Sequence, residues 1–140
     1  MIILDTSGLL AAIDGAQTHH RAAAAALRRA EAPRLLSPFV LAELDYLLVT
    51  RVSRSAEQAL LGQVADGVYQ IEAFDAGDIA RANEILDQYA DLDLGLADAS
   101  LIVLSERHEV LDLLTLDERH FRAVRGPGGK AFRVLPADKL

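Results

Sequence analysis

The chain has 140 residues, 51% of them apolar and 25% charged, with a formal net charge of −7. That balance fits a globular protein with one core, and the lack of any cysteine excludes disulfides, thiol catalysis and thiolate-bound zinc. The opening Met-Ile-Ile-Leu has no basic flank and meets a charge at Asp5, unlike a secretory signal, and no apolar run nears the ~20 residues of a membrane span; one soluble, cytoplasmic domain over residues 1–140 is expected.

Ile2-Ile3-Leu4 is apolar and partly β-branched, as in a buried strand. Asp5-Thr6-Ser7 ends it and caps a helix from Gly8 to Ile13. Alanine-rich His20 to Ala32 is a strong helix former, and Arg34-Leu35-Leu36 a second strand. Ser37-Pro38 then starts a helix, with serine as N-cap and proline at the first helical position, over Phe39 to Val52. Ser55 caps a further helix to about Asp66. Tyr69 to Phe74 alternates like a strand, and Asp75, with Asp78 in the first turn, opens a helix to Tyr89. After the Asp91–Gly95 loop, Leu96 to Arg107 is helical and Val110 to Leu116 is an apolar strand. Asp117 to Phe121 is one helical turn, Gly126 to Gly129 a loop, and Ala131 to Leu135 a last, edge strand.

Strands alternating with helices imply a parallel α/β sheet with helices on both faces. Ligands of such sheets bind beyond the carboxyl ends of the strands. Asp5 lies at that end of the first strand, and Asp117 just past the end of the Val110–Leu116 strand. Glu43 has Phe39, Val40, Tyr46 and Leu47 at its helical neighbour positions, and Asp98 is flanked by Leu94, Leu101 and Ile102. Carboxylates in apolar surroundings are costly, and several together repel unless a cation joins them.

Each acid also has a structural role open to it. Asp5 and Asp117 serve equally well as N-caps, and Asp98 near a helix start complements the helix dipole. Glu43 competes with Asp45 two residues on, because their helix is apolar nearly all round and its pattern cannot say which acid faces the strand ends.

Four segments carry a resemblance: residues 1–10 (Met-Ile-Ile-Leu-Asp-Thr-Ser-Gly-Leu-Leu), 37–44 (Ser-Pro-Phe-Val-Leu-Ala-Glu-Leu), 96–100 (Leu-Ala-Asp-Ala-Ser) and 114–121 (Leu-Thr-Leu-Asp-Glu-Arg-His-Phe). In this order and spacing they resemble the PIN-domain nucleases, in particular the VapC toxins of bacterial toxin–antitoxin pairs. The resemblance covers essentially the whole chain. It implies a PIN-like three-layer fold with a mostly parallel five-stranded sheet, and makes Asp5, Glu43, Asp98 and Asp117 the catalytic and metal-binding acids. Ser7 and Thr115 would support them from behind, while Asp93 gets no role. It further implies frequent dimers and a small inhibitory antitoxin partner.

Hard carboxylate oxygens suit Mg²⁺ or Mn²⁺, ions that activate water and steady a leaving oxygen in RNA hydrolysis. The acidic net charge argues against a nucleic-acid partner. However, Arg119, Arg122, Arg125, Lys130, Arg133 and Lys139 crowd the end of the chain, and a local basic rim binds phosphate on an acidic protein. Arg119, Arg122 and Arg125 are the candidate RNA contacts; a solvated tail is the plain alternative. His19 and His20 are adjacent and do not face one way on a helix. His108 reads as a surface residue, and His120 as one near Asp117 that could touch substrate. Two other readings of the chain stay in view: an inactive PIN-like binding module and a DNA nuclease.

Overall fold

The structure, a computed structural model, describes residues 1–138; Lys139 of the basic stretch lies outside them. Chain order is β1 (Ile2–Leu4), α1 (Thr6–Ile13), α2 (His20–Arg29), β2 (Arg34–Leu36), α3 (Pro38–Arg51), α4 (Arg54–Ala65), β3 (Gln70–Ile71), α5 (Ala76–Gln88), α6 (Leu96–His108), β4 (Asp112–Leu114), α7 (Glu118–Phe121) and β5 (Arg133–Leu135). The five strands form one sheet in the order β3-β2-β1-β4-β5, and every pairing is parallel.

Burial explains the short apolar strands. All three residues of β1 are buried, as are the last two of β2, β4 and β5. A strand covered on both faces needs no alternation. Leu9 of α1, Val40, Leu44 and Leu48 of α3, and Leu101, Ile102 and Leu104 of α6 complete the core around it. Helix α6 lies against β1 and α2 against β4. No helix among the described residues is long and apolar enough to cross a membrane.

Strand order also fixes where the chain diverges. From β1 the path leads to β2, and from β4 to β5, so the connections leave these adjacent strands in opposite directions. The gap between their carboxyl ends is the switch point where α/β sheets hold ligands.

Several boundaries differ from the sequence reading. The third strand shrinks from Tyr69–Phe74 to Gln70–Ile71, both exposed at the sheet edge, so alternation there reflects an edge and not a half-buried strand. Ser53, not Ser55, caps α4, its hydroxyl accepting from the Ala56 amide at 3.0 Å. Helix α1 begins at Thr6, earlier than Gly8. Gly8 instead serves close packing: a Cβ there would stand 2.3 Å from the Leu114 carbonyl oxygen. Only glycine lets α1 run this near β4.

Candidate active site

Asp5 follows β1 directly and is 5% exposed. Its backbone amide continues the ladder by donating to the Leu114 carbonyl at 2.9 Å. The side chain does not cap α1, so for this residue the cap alternative fails. Its Oδ2 accepts instead from Thr115 Oγ1 at 2.6 Å and from Ser7 Oγ at 3.2 Å. Ser7 Oγ also accepts from the Leu116 amide, and Thr115 Oγ1 from the Asp117 amide, each at 3.0 Å. The two hydroxyls thus stitch the end of β1 to the turn after β4 and fix the Asp5 carboxylate between them.

Asp117 and Asp98 each bond a backbone amide at a helix start. Asp117 caps α7, accepting from the His120 amide at 3.0 Å, and its other oxygen faces His120 Nδ1 at 2.8 Å. Asp98, third residue of α6, accepts from the Gly95 amide at 3.0 Å. Capping leaves acceptor capacity on each carboxylate, since an ionised carboxyl offers about four lone-pair directions.

On α3, Glu43 and Asp45 separate cleanly. Glu43 is exposed rather than enclosed by its apolar neighbours, and Oε1 accepts from Thr6 Oγ1 at 2.7 Å. Asp45 lies instead by Glu57 of α4, whose carboxyl it raises. The acid facing the strand ends is therefore Glu43.

One buried contact escaped the sequence reading. Ser37 Oγ, which caps α3 by accepting from the Phe39 amide at 3.2 Å, lies 2.7 Å from Ser100 Oγ of α6, and Ser100 donates onward to the Ala97 carbonyl at 2.6 Å. Both serines are fully buried. This bond ties the helix that carries Glu43 to the helix that carries Asp98. A lone serine within the apolar run Ala99–Leu104 was its only signal.

The acids act on one another. Burial, opposed by the Thr115 bond and reinforced by the charge of Asp98, pushes Asp5 up to about 6. Asp98 is also raised, chiefly by burial; the Gly95 amide and His120 oppose this, while Asp117 and Glu43 add to it. The donors are all hard oxygens of like charge, a set that fits a divalent cation such as Mg²⁺ or Mn²⁺. As placed, each carboxylate is engaged by its own protein donor, and among the described residues no three His, Asp or Glu side chains converge on one point.

The remaining candidates scatter. Asp93 is exposed, in a left-handed turn at φ 57°. Arg122 is committed to Glu118 at 2.7 Å and Asp138 at 2.8 Å, Arg125 donates to the Arg122 and Val124 carbonyls, and Arg133 pairs with Asp112 at 2.6 Å. Arg119 and Lys130 are exposed, and among the described residues neither forms an ion pair. His20 Nδ1 meets the Ala11 carbonyl at 2.8 Å, His19 is exposed, and His108 pairs with Glu72.

Comparison with known proteins agrees with this architecture. Residues 2–127 match the profile of the PIN domain family. Ribonuclease VapC26 of Mycobacterium tuberculosis is 42% identical over 135 residues, covering 96% of this chain and all of that protein. In three dimensions the chain is similar to the crystal structure of Mycobacterium tuberculosis VapC20, described as a sarcin-ricin loop cleaving toxin, with a TM-score of 0.78 and 21% identity over 84% of this chain and 90% of that one. This chain belongs to the PIN-domain family, alongside the VapC ribonucleases.

Proposed function

We propose that this protein is a divalent-metal-dependent endoribonuclease, the toxin of a toxin–antitoxin pair, acting as one domain in the cytoplasm. The observation that supports the reading is that Asp98 lies near enough to Asp5, Asp117 and Glu43 for their charges to act on one another, with burial and this repulsion raising Asp5 and Asp98. Such an arrangement is costly without a cation, and the VapC26 likeness supplies the substrate class.

A divalent cation held by these carboxylates lowers the pKa of water and offsets charge on the phosphate. The protein's own part is positioning. Thr115 and Ser7 fix Asp5 through its Oδ2, the Gly95 amide fixes Asp98, and the Ser37–Ser100 bond keeps α3 and α6 in register. Arg119, exposed two residues after Asp117, supplies a guanidinium for the RNA backbone, whereas Arg122 is already paired with acids. A small antitoxin protein and a second copy of the chain are the expected partners.

The direct test is cleavage of RNA with Mg²⁺ or Mn²⁺, followed by end analysis. Hydrolysis by activated water leaves 5′-phosphate and 3′-hydroxyl ends and stops in EDTA. Cyclic phosphate ends, or full activity in EDTA, would refute the mechanism. RNA binding without cleavage would make the protein a binding module, and preferential cutting of DNA would make it a DNA nuclease. Induced expression in a bacterium should arrest growth, with rescue by a small protein encoded beside it.

A further inference from the structure

The alanine-rich helix α2 borders a groove that the acidic site does not use. Ala23 and Ala26 are buried against the core. Arg21, Ala22, Ala25 and Arg29 form one wall of a groove of about 790 Å³, with Pro136 and Asp138, beyond the carboxyl end of β5, on the other. Residues 21, 25 and 29 share one helix face, and the two arginines are rooted about 12 Å apart along it. A second groove, of about 280 Å³, shares His19, Ala22 and Pro136 with the first and reaches Thr115, Leu116 and Glu118. The two are continuous, and the path ends on the turn whose Thr115 holds Asp5 and whose next residues lead to Asp117. The charges along it are not balanced. Glu118 and Asp138 are both engaged by Arg122, at 2.7 and 2.8 Å. Arg21 and Arg29 are exposed, and among the described residues neither donates a hydrogen bond or forms an ion pair.

On the reading of this protein as a ribonuclease, we propose that this groove holds the single-stranded RNA on one side of the cut. Arg21 and Arg29 contact its phosphates, and the strand passes Ala22 to enter the site. Alanine methyls between two unclaimed guanidiniums suit a flexible polyanion, which needs cations at intervals and room between them. Among the described residues no Phe or Tyr ring lines either groove, so the hold is on the backbone more than on the bases. An acidic protein segment would satisfy the same arginines, but RNA is the polyanion that must reach the Thr115–Asp117 turn to be cut.

The test is steady-state cleavage by the full chain, with Mn²⁺, of a labelled single-stranded RNA whose cut site has been mapped. Arg21→Gln, Arg29→Gln and the double variant are compared with wild type and with Arg28→Gln. Arg28 is exposed on the same helix but does not line the groove, so its variant removes the same charge elsewhere. Each groove variant should raise KM by about fivefold at low salt, and the double variant by about twentyfold, with kcat within about twofold. The slope of log KM against log salt should fall by about 0.7 for each groove arginine removed, and Arg28→Gln should move KM less than about twofold. Ala22→Glu, at an exposed position that glutamate keeps helical, should raise KM at least as much as the double variant. Trimming the RNA from one end should raise KM for wild type and add little in the double variant. Wild-type KM and salt slope in the double variant, or a loss no larger than that of Arg28→Gln, would overturn the groove and leave the ribonuclease standing. Unchanged RNA kinetics with an altered sedimentation mass would assign the groove to a second copy of the chain, and with lost binding of the small protein encoded alongside, to an acidic protein partner; either overturns the RNA path. No cleavage of RNA by wild type would overturn the ribonuclease reading and the groove together.

Discussion

Two acidic regions of this molecule are held in opposite ways. At the switch point Asp5 and Asp98 have hydrogen-bond donors and like-charged neighbours, and both carboxyls are raised. At the far edge, beside β3, Glu72 and Asp78 meet Arg107, which donates to Glu72 at 3.4 Å and Asp78 at 3.0 Å and lies 5.1 Å over the Phe74 ring. His108 adds a further contact to Glu72. Burial pushes Glu72 up, but the bonds from Gln70 and His108 and the nearby positive charges outweigh it, and the carboxyl ends low. Asp78 is lowered as well, first by the Asp75 amide. The β3 edge is a finished ion-pair network that needs nothing more. The switch point leaves its like charges without such a partner, and on the proposed function a cation relieves them.

The largest expected effect breaks the unfinished side. Asp5→Asn and Asp98→Asn should each cut RNA cleavage by roughly a hundredfold or more, since losing a metal ligand should exceed the 10–100-fold typical of outer-shell changes. Melts should show the metal-induced rise in Tm reduced in both. Wild-type cleavage with an unchanged metal shift would leave these aspartates with structural roles alone.

Stability should move the other way. Folded Asp5 titrates near 6 against an ordinary value of 3.8, so between these pH values the folded state holds a proton that the unfolded state has released. Its contribution favours folding at low pH and is lost as pH rises through about 6. The shift corresponds to at most about 3 kcal/mol. In the metal-free protein Asp5→Asn should therefore be more stable than wild type at pH 7.5, by on the order of 1–3 kcal/mol, and the gap should close by about pH 4. A variant less stable than wild type at pH 7.5 would mean that the Thr115 and Ser7 bonds, not repulsion, dominate there.

These expectations also show which parts of the molecule were legible beforehand. Element order and the parallel sheet follow from apolar runs and caps, signals carried by neighbours in sequence. Asp5 and Asp117 could be placed on one edge because each directly follows a strand. Glu43 could not be told from Asp45, because Tyr46 is apolar in character yet 66% exposed and leaves α3 without a clear apolar face. The choice depends on Thr6 and on Glu57, one far back along the chain and one on the next helix. The Ser37–Ser100 bond joins residues 63 apart, and only the fold brings them together. Arg122 looked free until Asp138 closed on it from across the C-terminal turn.

The finished side should respond more weakly and with the opposite sign. Glu72→Gln removes a carboxylate whose side chain is 9% exposed and should destabilise the protein by about 1–2 kcal/mol at pH 7.5, the scale of a hydrogen bond to a charged group. RNA cleavage should be unaffected. Because the folded carboxyl lies below its usual range, its stabilisation is present above the unfolded value near 4.5 and is lost as pH falls through the folded one. The Glu72→Gln deficit should thus shrink on acidification, where the Asp5→Asn advantage shrinks too. Urea melts of both variants at pH 3, 4.5, 6 and 7.5 give the two trends together, the Glu72 trend falling below pH 4.5 and the Asp5 trend above pH 4. A deficit that is constant with pH would make Glu72 a packing residue and dissolve the contrast between the regions.

The smallest effect is expected on the exposed rim, where acids and bases meet in water. Arg122 is 43% exposed and shared between Glu118 and Asp138, so Arg122→Gln should change stability by less than about 1 kcal/mol, as exposed ion pairs generally do. Its guanidinium is already engaged, so the KM for RNA should hardly move. Arg119 differs in one respect: among the described residues no acid claims it. Arg119→Gln should raise KM severalfold at low salt with kcat nearly unchanged, and the difference from wild type should fade as salt rises, because a phosphate contact is screened and its counterions are already abundant. Steady-state cleavage by the two variants at 50 and 200 mM salt measures this. A larger KM effect from Arg122 than from Arg119 would show that RNA displaces the Glu118 and Asp138 carboxylates, and that the rim, like the switch point, is unfinished until substrate arrives.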